Sequence, residues 1–236
     1  MSNQKPIFAL IILGLLAGLG LYLYREFRSS GTRGLTVGAF LRDPTAQSGL
    51  VIRAGTRCGG APFFFPTDGM VGFLWDDSFR PGHRHAGIDI FPGTAAGITP
   101  VYSAYPGYLT RQTDWKSSLI VRVPSDPLQP GRQIWVYYTH LADRDGNSFI
   151  AADFPPGTTE KYVEAGTLLG YQGDYSGSPG NPVGVHLHIS IVADNGQGGF
   201  KNELQIENTY DPSPYFGLEL NAKRMPNGIP LCEKQP

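Results

Sequence analysis

The chain has five histidines, and four of them fall in or beside three short apolar stretches. Gly184 to Val192, GVHLHISIV, carries His186 and His188 one residue apart; Ala86 to Phe91, preceded by His85, carries Asp89; Arg132 to Leu141 carries His140 beside its end. Imidazoles and a carboxylate are the ligand and base inventory of a catalytic zinc site, which uses three protein ligands, leaves a fourth position open and keeps general bases nearby. An H-x-H in a β run or a lone T-H-L arises by chance. The combination of the three stretches carries the reading.

Strand geometry says where these groups point. Side chains two residues apart share a face, so Val185, Leu187, Ile189 and Ile191 form the side that buries, and His186, His188 and Ser190 form the other. In HAGIDIF, Ile88 and Ile90 take one face while Asp89 shares the other with Gly87 and Phe91. His85 stands four residues before Asp89, about 13 Å away in a straight strand, too far to share an ion; a bend at Gly87 would fold it back. In YYTHL, parity groups His140 with Tyr138, opposite Trp135, Tyr137 and Thr139. His83 lies outside these motifs and reads as a solvated loop residue beside Arg84.

The elements that must hold these groups are strands. Gly and Pro together supply 31 and 20 residues, punctuation that favours short strands and tight turns over long helices. The stretches 69–76, 86–91, 99–104, 118–123, 132–141 and 184–192 are rich in β-branched and aromatic residues between Gly, Pro, Asp and Asn, and no amphipathic helix of ordinary length interrupts them. Hydrophobic residues at 41% and charged ones at 17% fit a globular chain and exclude a disordered polyelectrolyte. With a net charge of −1 and no basic block interleaved with aromatics, nucleic acid is excluded as a partner.

The N-terminus has a different character. Ile7 to Tyr24 is uncharged and about 27 Å long as a helix, close to the roughly 30 Å core of a bilayer. It reads as an uncleaved membrane anchor, with a cleaved signal peptide as the alternative. Residues 1–28 are thus an anchor or signal segment, 29–58 a linker and lead-in, and 59–236 one domain. Lys5 before the run and Arg25, Arg28 and Arg33 after it would, by a plain count of positive charges, keep the domain in the cytoplasm. Cys58 and Cys232, near the two ends of the soluble part, read as a bridge in an exported protein, the alternative being two unrelated buried thiols.

HAGIDI, YYTHL and GVHLHISI, in this order, resemble the H-x-x-x-D, Y-x-H-L and H-x-H motifs of the lysostaphin-like (LytM-type) zinc endopeptidases of bacterial cell walls. The similarity spans Phe65 to Val192 and includes GTAAGITPVYSAYPGYL and VEAGTLLGYQGDYSG; YDPSPYFG, Tyr210 to Gly217, resembles the usual close of the domain. The resemblance implies an all-β fold, mainly an antiparallel sheet with a groove and the site on its floor. It implies that His85, Asp89 and His188 bind one Zn²⁺, that His140 and His186 are the catalytic pair, and that the substrate is peptidoglycan peptide. An enzyme of wall peptide must face the wall, so the domain is placed outside the cytoplasmic membrane against the charge count. Ile189 stands where many relatives have Phe, and the segment between His140 and Val163 is longer than the family pattern and is expected to form one wall of the groove. Two rivals remain: a catalytically silent scaffold that binds or activates other wall hydrolases, although such members lose ligands and this chain keeps every one, and a β-rich sugar-binding or lipoprotein-like module with incidental histidines.

Overall fold

The computed structural model describes residues 33–78 and 82–232, together with Gly14 and Gly18. The apolar run expected to be an anchor therefore lies, but for those two glycines, outside the described residues. Among the described residues no helix is long and apolar enough to cross a membrane.

The fold is mainly antiparallel β, as expected. A helix over residues 33–42 (α1) leads in. The strands follow as β1 (Met70–Phe73), β2 (Ile88–Phe91), β3 (Pro100–Tyr102), β4 (Gly107–Thr110), β5 (Leu119–Val123), β6 (Ile134–Thr139), β7 (Lys161–Val163), β8 (Leu168–Tyr171), β9 (Leu187–Ala193) and β10 (Thr209–Tyr210), with a short α2 (Ser213–Phe216) near the end. The main sheet runs β1-β2-β9-β6-β5-β4-β7, and β3 and β8 make a second, two-stranded sheet. β10 joins the β2 side of β9: Leu187, His188 and Ile189 pair with β2, and Ile191 and Val192 with β10.

The alternation read from the sequence sets the layers. Ile88, Ile90, Leu187, Ile189 and Ile191 all enter one core with Val121, Val136 and Tyr138, which Val101 of β3 and Leu169 of β8 close from the far side. Ile189 is buried there, so the volume lost relative to Phe falls on the packing face, away from the histidines. The opposite face holds Ile120, Trp135, Tyr137 and Val192 with Trp115 and Phe200 against them. The long segment after His140 sends Ile150 and Phe154 into the main core. Arg111 ties it down, donating to Phe154 O at 2.8 Å and Ser148 Oγ at 3.0 Å.

Two parts of the lead-in are built into the fold. Residues 33–42 are helical, and Val37 and Phe40 bury against Met70 of β1 and Phe91 of β2. Polar and glycine-containing flanks hid this short amphipathic pattern, whose buried positions 33, 37 and 40 follow helical spacing. Beyond it, Ile52 and Cys58 belong to the main core.

Cys58 and Cys232 form a disulfide across 174 residues of chain, with Cα atoms 5.3 Å apart. Closing so long a loop restricts the unfolded chain. Replacing both cysteines with serine should lower stability by about 2–5 kcal/mol. Urea denaturation checks this: coincident curves for variant and wild type would mean that the bridge contributes nothing.

Candidate metal centre

Register builds the site. Asp89 of β2 lies directly opposite His188 of β9, and His188 in turn lies opposite Thr139 of β6. Partners across an antiparallel pair project to the same face, so the carboxylate and the imidazole meet without any loop having to place them: His188 Nδ1 is 2.9 Å from Asp89 Oδ1. The bend expected at Gly87 is present: the chain bends at Ala86 and Gly87 before β2 begins at Ile88. His85 folds back until its Nε2 is 3.1 Å from Asp89 Oδ1 and 3.0 Å from His188 Nδ1. Gly87 is required by space: a Cβ there would sit 2.3 Å from Ile189 O and 2.8 Å from His188 Nε2.

These three residues can hold a metal ion. His85 donates Nδ1–H to Leu74 O at 2.9 Å, which leaves Nε2 as the lone-pair nitrogen facing the cluster. Three basic atoms thus converge, and tetrahedral zinc would set such atoms about 3.3 Å apart, a few tenths of an ångström wider than found. A mixed nitrogen and oxygen donor set of this kind suits zinc.

Two more imidazoles border the cluster. His186 Nδ1–H donates to Gly184 O and His140 Nδ1–H to Tyr175 O, each at 2.6 Å. Both rings therefore keep Nε2 unprotonated when neutral. Their centroids are 4.5 Å apart, and His186 Nε2 lies 3.6 Å from Asp89 Oδ1. Parity grouped His140 with Tyr138, yet Tyr138 enters the main core and the His140 ring joins His186 and His188. The cause is local: His140 has φ +70°, a left-handed conformation that breaks the alternation and re-aims the ring at the strand end. His85, Asp89 and His186 are buried, while His140 and His188 are half-buried, so the site opens on the side of the last two. His83 is half-buried rather than solvated.

Other contributors had little or no sequence signal. The carbonyls of Leu74, Tyr175 and Gly184 fix three ring orientations, and any residue type could supply them. Phe91 was legible by parity with Asp89; its ring stacks on His186 at 5.2 Å. Thr139 bonds Ser118 Oγ at 2.6 Å, and Tyr137 donates to the same hydroxyl at 2.9 Å. This short polar ladder runs along the site face beside His188.

Charge follows burial and neighbours. Burial opposes the charged form of His85, but Asp89 beside it prevails and holds the imidazole above its ordinary value. Burial pushes the Asp89 carboxyl up, and His85 and His186 outweigh it, leaving the group well below the carboxylate range. Burial lowers His140 and His188. It takes His186 down to about 4, against the pull of Asp89.

No protein-family model and no curated protein matches the chain. Among solved structures, the catalytic domain of lysostaphin from Staphylococcus simulans is 17% identical with a TM-score of 0.39, over 67% of this chain and 93% of that one. The structural neighbours are LytM and lysostaphin peptidase domains. A LytM protein of Ruminococcus gnavus is 25% identical with a TM-score of 0.37, over 55% of this chain. This chain spans only 45% of the length of that protein. The catalytic domain of the prophage-encoded protein EnpA from Enterococcus faecalis is 20% identical with a TM-score of 0.37, over 64% of this chain and 96% of that one. Superpositions this loose assign no residue roles, which rest on the site's own geometry.

A pH dependence follows from His186. Its folded pKa lies below the unfolded one, so between about 6.5 and about 4 the unfolded chain binds the proton that the folded site refuses. Stability from this group is therefore lost as pH falls through that window, by at most about 1.4 kcal/mol per pH unit. His85, shifted upward, works in the opposite direction. In zinc-free protein, His186→Gln should gain on wild type as pH drops from 6 to 5 in denaturant titrations. Parallel profiles would rule out a buried neutral His186.

Proposed function

We propose that the chain is a zinc metalloendopeptidase that hydrolyses peptide cross-links or bridges of bacterial peptidoglycan. One observation carries this: three metal-competent atoms converge within hydrogen-bonding distance, and two imidazoles beside them have unprotonated Nε2 atoms. The motif resemblance supplies the substrate class. His85, Asp89 and His188 would hold zinc, and His140 and His186 would move protons.

Zinc, when bound, supplies Lewis-acid polarisation of a peptide carbonyl and makes hydroxide available near neutral pH. The chain's own residues do the rest. Burial keeps His140 and His186 neutral at neutral pH, so either Nε2 accepts a proton from water. Once protonated, the same nitrogen donates toward the developing oxyanion or the leaving amine. The carbonyls of Tyr175 and Gly184 fix the tautomer through each cycle, because Nδ1 keeps its proton for the backbone. Asp89 stabilises a positive charge formed on His186, 3.6 Å away.

Zinc content and release of wall peptides by the purified full chain test this reading, beside His188→Ala and His140→Ala. Wild type should carry about one zinc per domain. His188→Ala should lose metal and activity together, whereas His140→Ala should keep the metal and lose about 10²–10⁴-fold in rate. Zinc bound without hydrolysis would favour the silent scaffold, and no zinc would sink the metal site.

For location, we propose a single-pass cytoplasmic membrane protein anchored by Ile7 to Tyr24, with the domain outside; export after signal cleavage is the other form of this proposal. The Cys58–Cys232 bridge supports an oxidising compartment. Reporters fused after Pro236 decide it: one that works only in oxidising surroundings should be active, and activity confined to a cytoplasm-specific reporter would defeat the placement.

A further inference from the structure

The lead-in helix reaches the metal centre by a route that the reaction itself does not use. Arg33, at the start of the described part of α1, is 0% exposed. Its guanidinium grips Asp77 with two prongs, Nε to Oδ2 at 2.8 Å and Nη2 to Oδ1 at 2.6 Å, and donates Nη1–H to Met225 O at 2.6 Å. Asp77 ends a β-turn that starts at Leu74, its N–H donating to Leu74 O at 3.2 Å. The same Leu74 carbonyl receives His85 Nδ1–H. Asp77 O receives the His85 backbone N–H at 2.8 Å, and His85 O receives that of Asp76 at 2.8 Å. Three hydrogen bonds of His85 therefore end on one four-residue turn.

That turn is electrostatically awkward. Asp76 and Asp77 are adjacent, and their side chains are 2% and 1% exposed. Arg84 and Lys223 neutralise Asp76 at 2.5 and 2.6 Å, while Arg33 bridges Asp77. An arginine fork matches a carboxylate in both position and plane, so it fixes orientation as well as charge. Removing it would drive a buried carboxylate toward water, and the turn that carries Leu74 O would move with it.

We propose that Arg33 is a positioning residue for the metal centre: from the lead-in helix it locks the Leu74–Asp77 turn, and the turn fixes the ring and backbone of His85. This rests on the reading of His85, Asp89 and His188 as zinc ligands. Outer partners that orient a ligating histidine typically change metal affinity by 10–100-fold. α1 touches the second half of the site as well, since Val37 and Phe40 pack with Phe91, the ring stacked on His186.

The test uses the full chain in detergent and reads two quantities, zinc affinity by chelator competition and the melting temperature of metal-free protein. Wild type is compared with Arg33→Met, Arg33→Lys and a control, Arg132→Met. The control strips a partner from another buried carboxylate, Asp126, at the far end of β6 from His140. Arg33→Met should weaken zinc binding about 10–100-fold, with Arg33→Lys in between, whereas Arg132→Met should lower the melting temperature and leave affinity within about twofold. Affinity within about twofold of wild type in Arg33→Met overturns the proposal. If that variant does not fold, the same outcome in Arg33→Lys overturns it. Wild type that binds no zinc would remove the metal-centre reading itself, and this inference with it.

Discussion

Everything in the site depends on one contact: the antiparallel pairing of β2 with β9 in the register that sets Asp89 against His188. A slip of one residue would turn one strand over, sending Asp89 or His188 into the core and bringing Ile88 or Ile189 out in its place. The aliphatic alternation on each strand forbids that slip, since either Ile88 and Ile90 or Leu187, Ile189 and Ile191 would leave the core together. The burial that folds the sheet is thus the same force that assembles the ligands. Gly87 leaves little tolerance: the chain turns back over Ile189 O with no room for a methyl group.

Around that register the groups divide by environment. His85 and Asp89 share charge and each favours the ionised state of the other; His140 and His186 are kept neutral by burial and aimed by backbone carbonyls. The contrast separates groups suited to hold a cation from groups suited to exchange protons. A proton and a metal ion compete for the same three atoms, so metal loading releases protons. No rearrangement of the bordering pair is needed for either occupant, because their orientation depends on Tyr175 and Gly184 rather than on the cluster.

Much of this was legible in the sequence, for identifiable reasons. Period-two alternation gave the faces of β2 and β9, and a glycine between His85 and Asp89 announced the bend. The strands β4, β7, β8 and β10 stand outside the stretches that the sequence marks as β; they are two to four residues long and are set among Gly, Pro and charged residues rather than in a longer apolar run. His140 broke the parity rule because a single left-handed residue resets the direction of a strand end, and nothing in Thr-His-Leu records that. The turn behind His85 was also hidden. Its two aspartates make sense only once Arg33, Arg84 and Lys223, far apart in sequence, converge on them.

The docking of α1 also fixes a length. Since Arg33 is already part of the folded body, only residues 25–32 separate it from the end of the apolar run at Tyr24. The nine steps of chain from Tyr24 to Arg33 reach at most about 32 Å even when fully drawn out. If the apolar run is seated in the bilayer, the histidine cluster is confined to a thin layer above the lipid surface, and anything farther out is beyond its reach whatever its chemistry. Such an enzyme would be a local tool, selecting bonds by their distance from the membrane as much as by their structure.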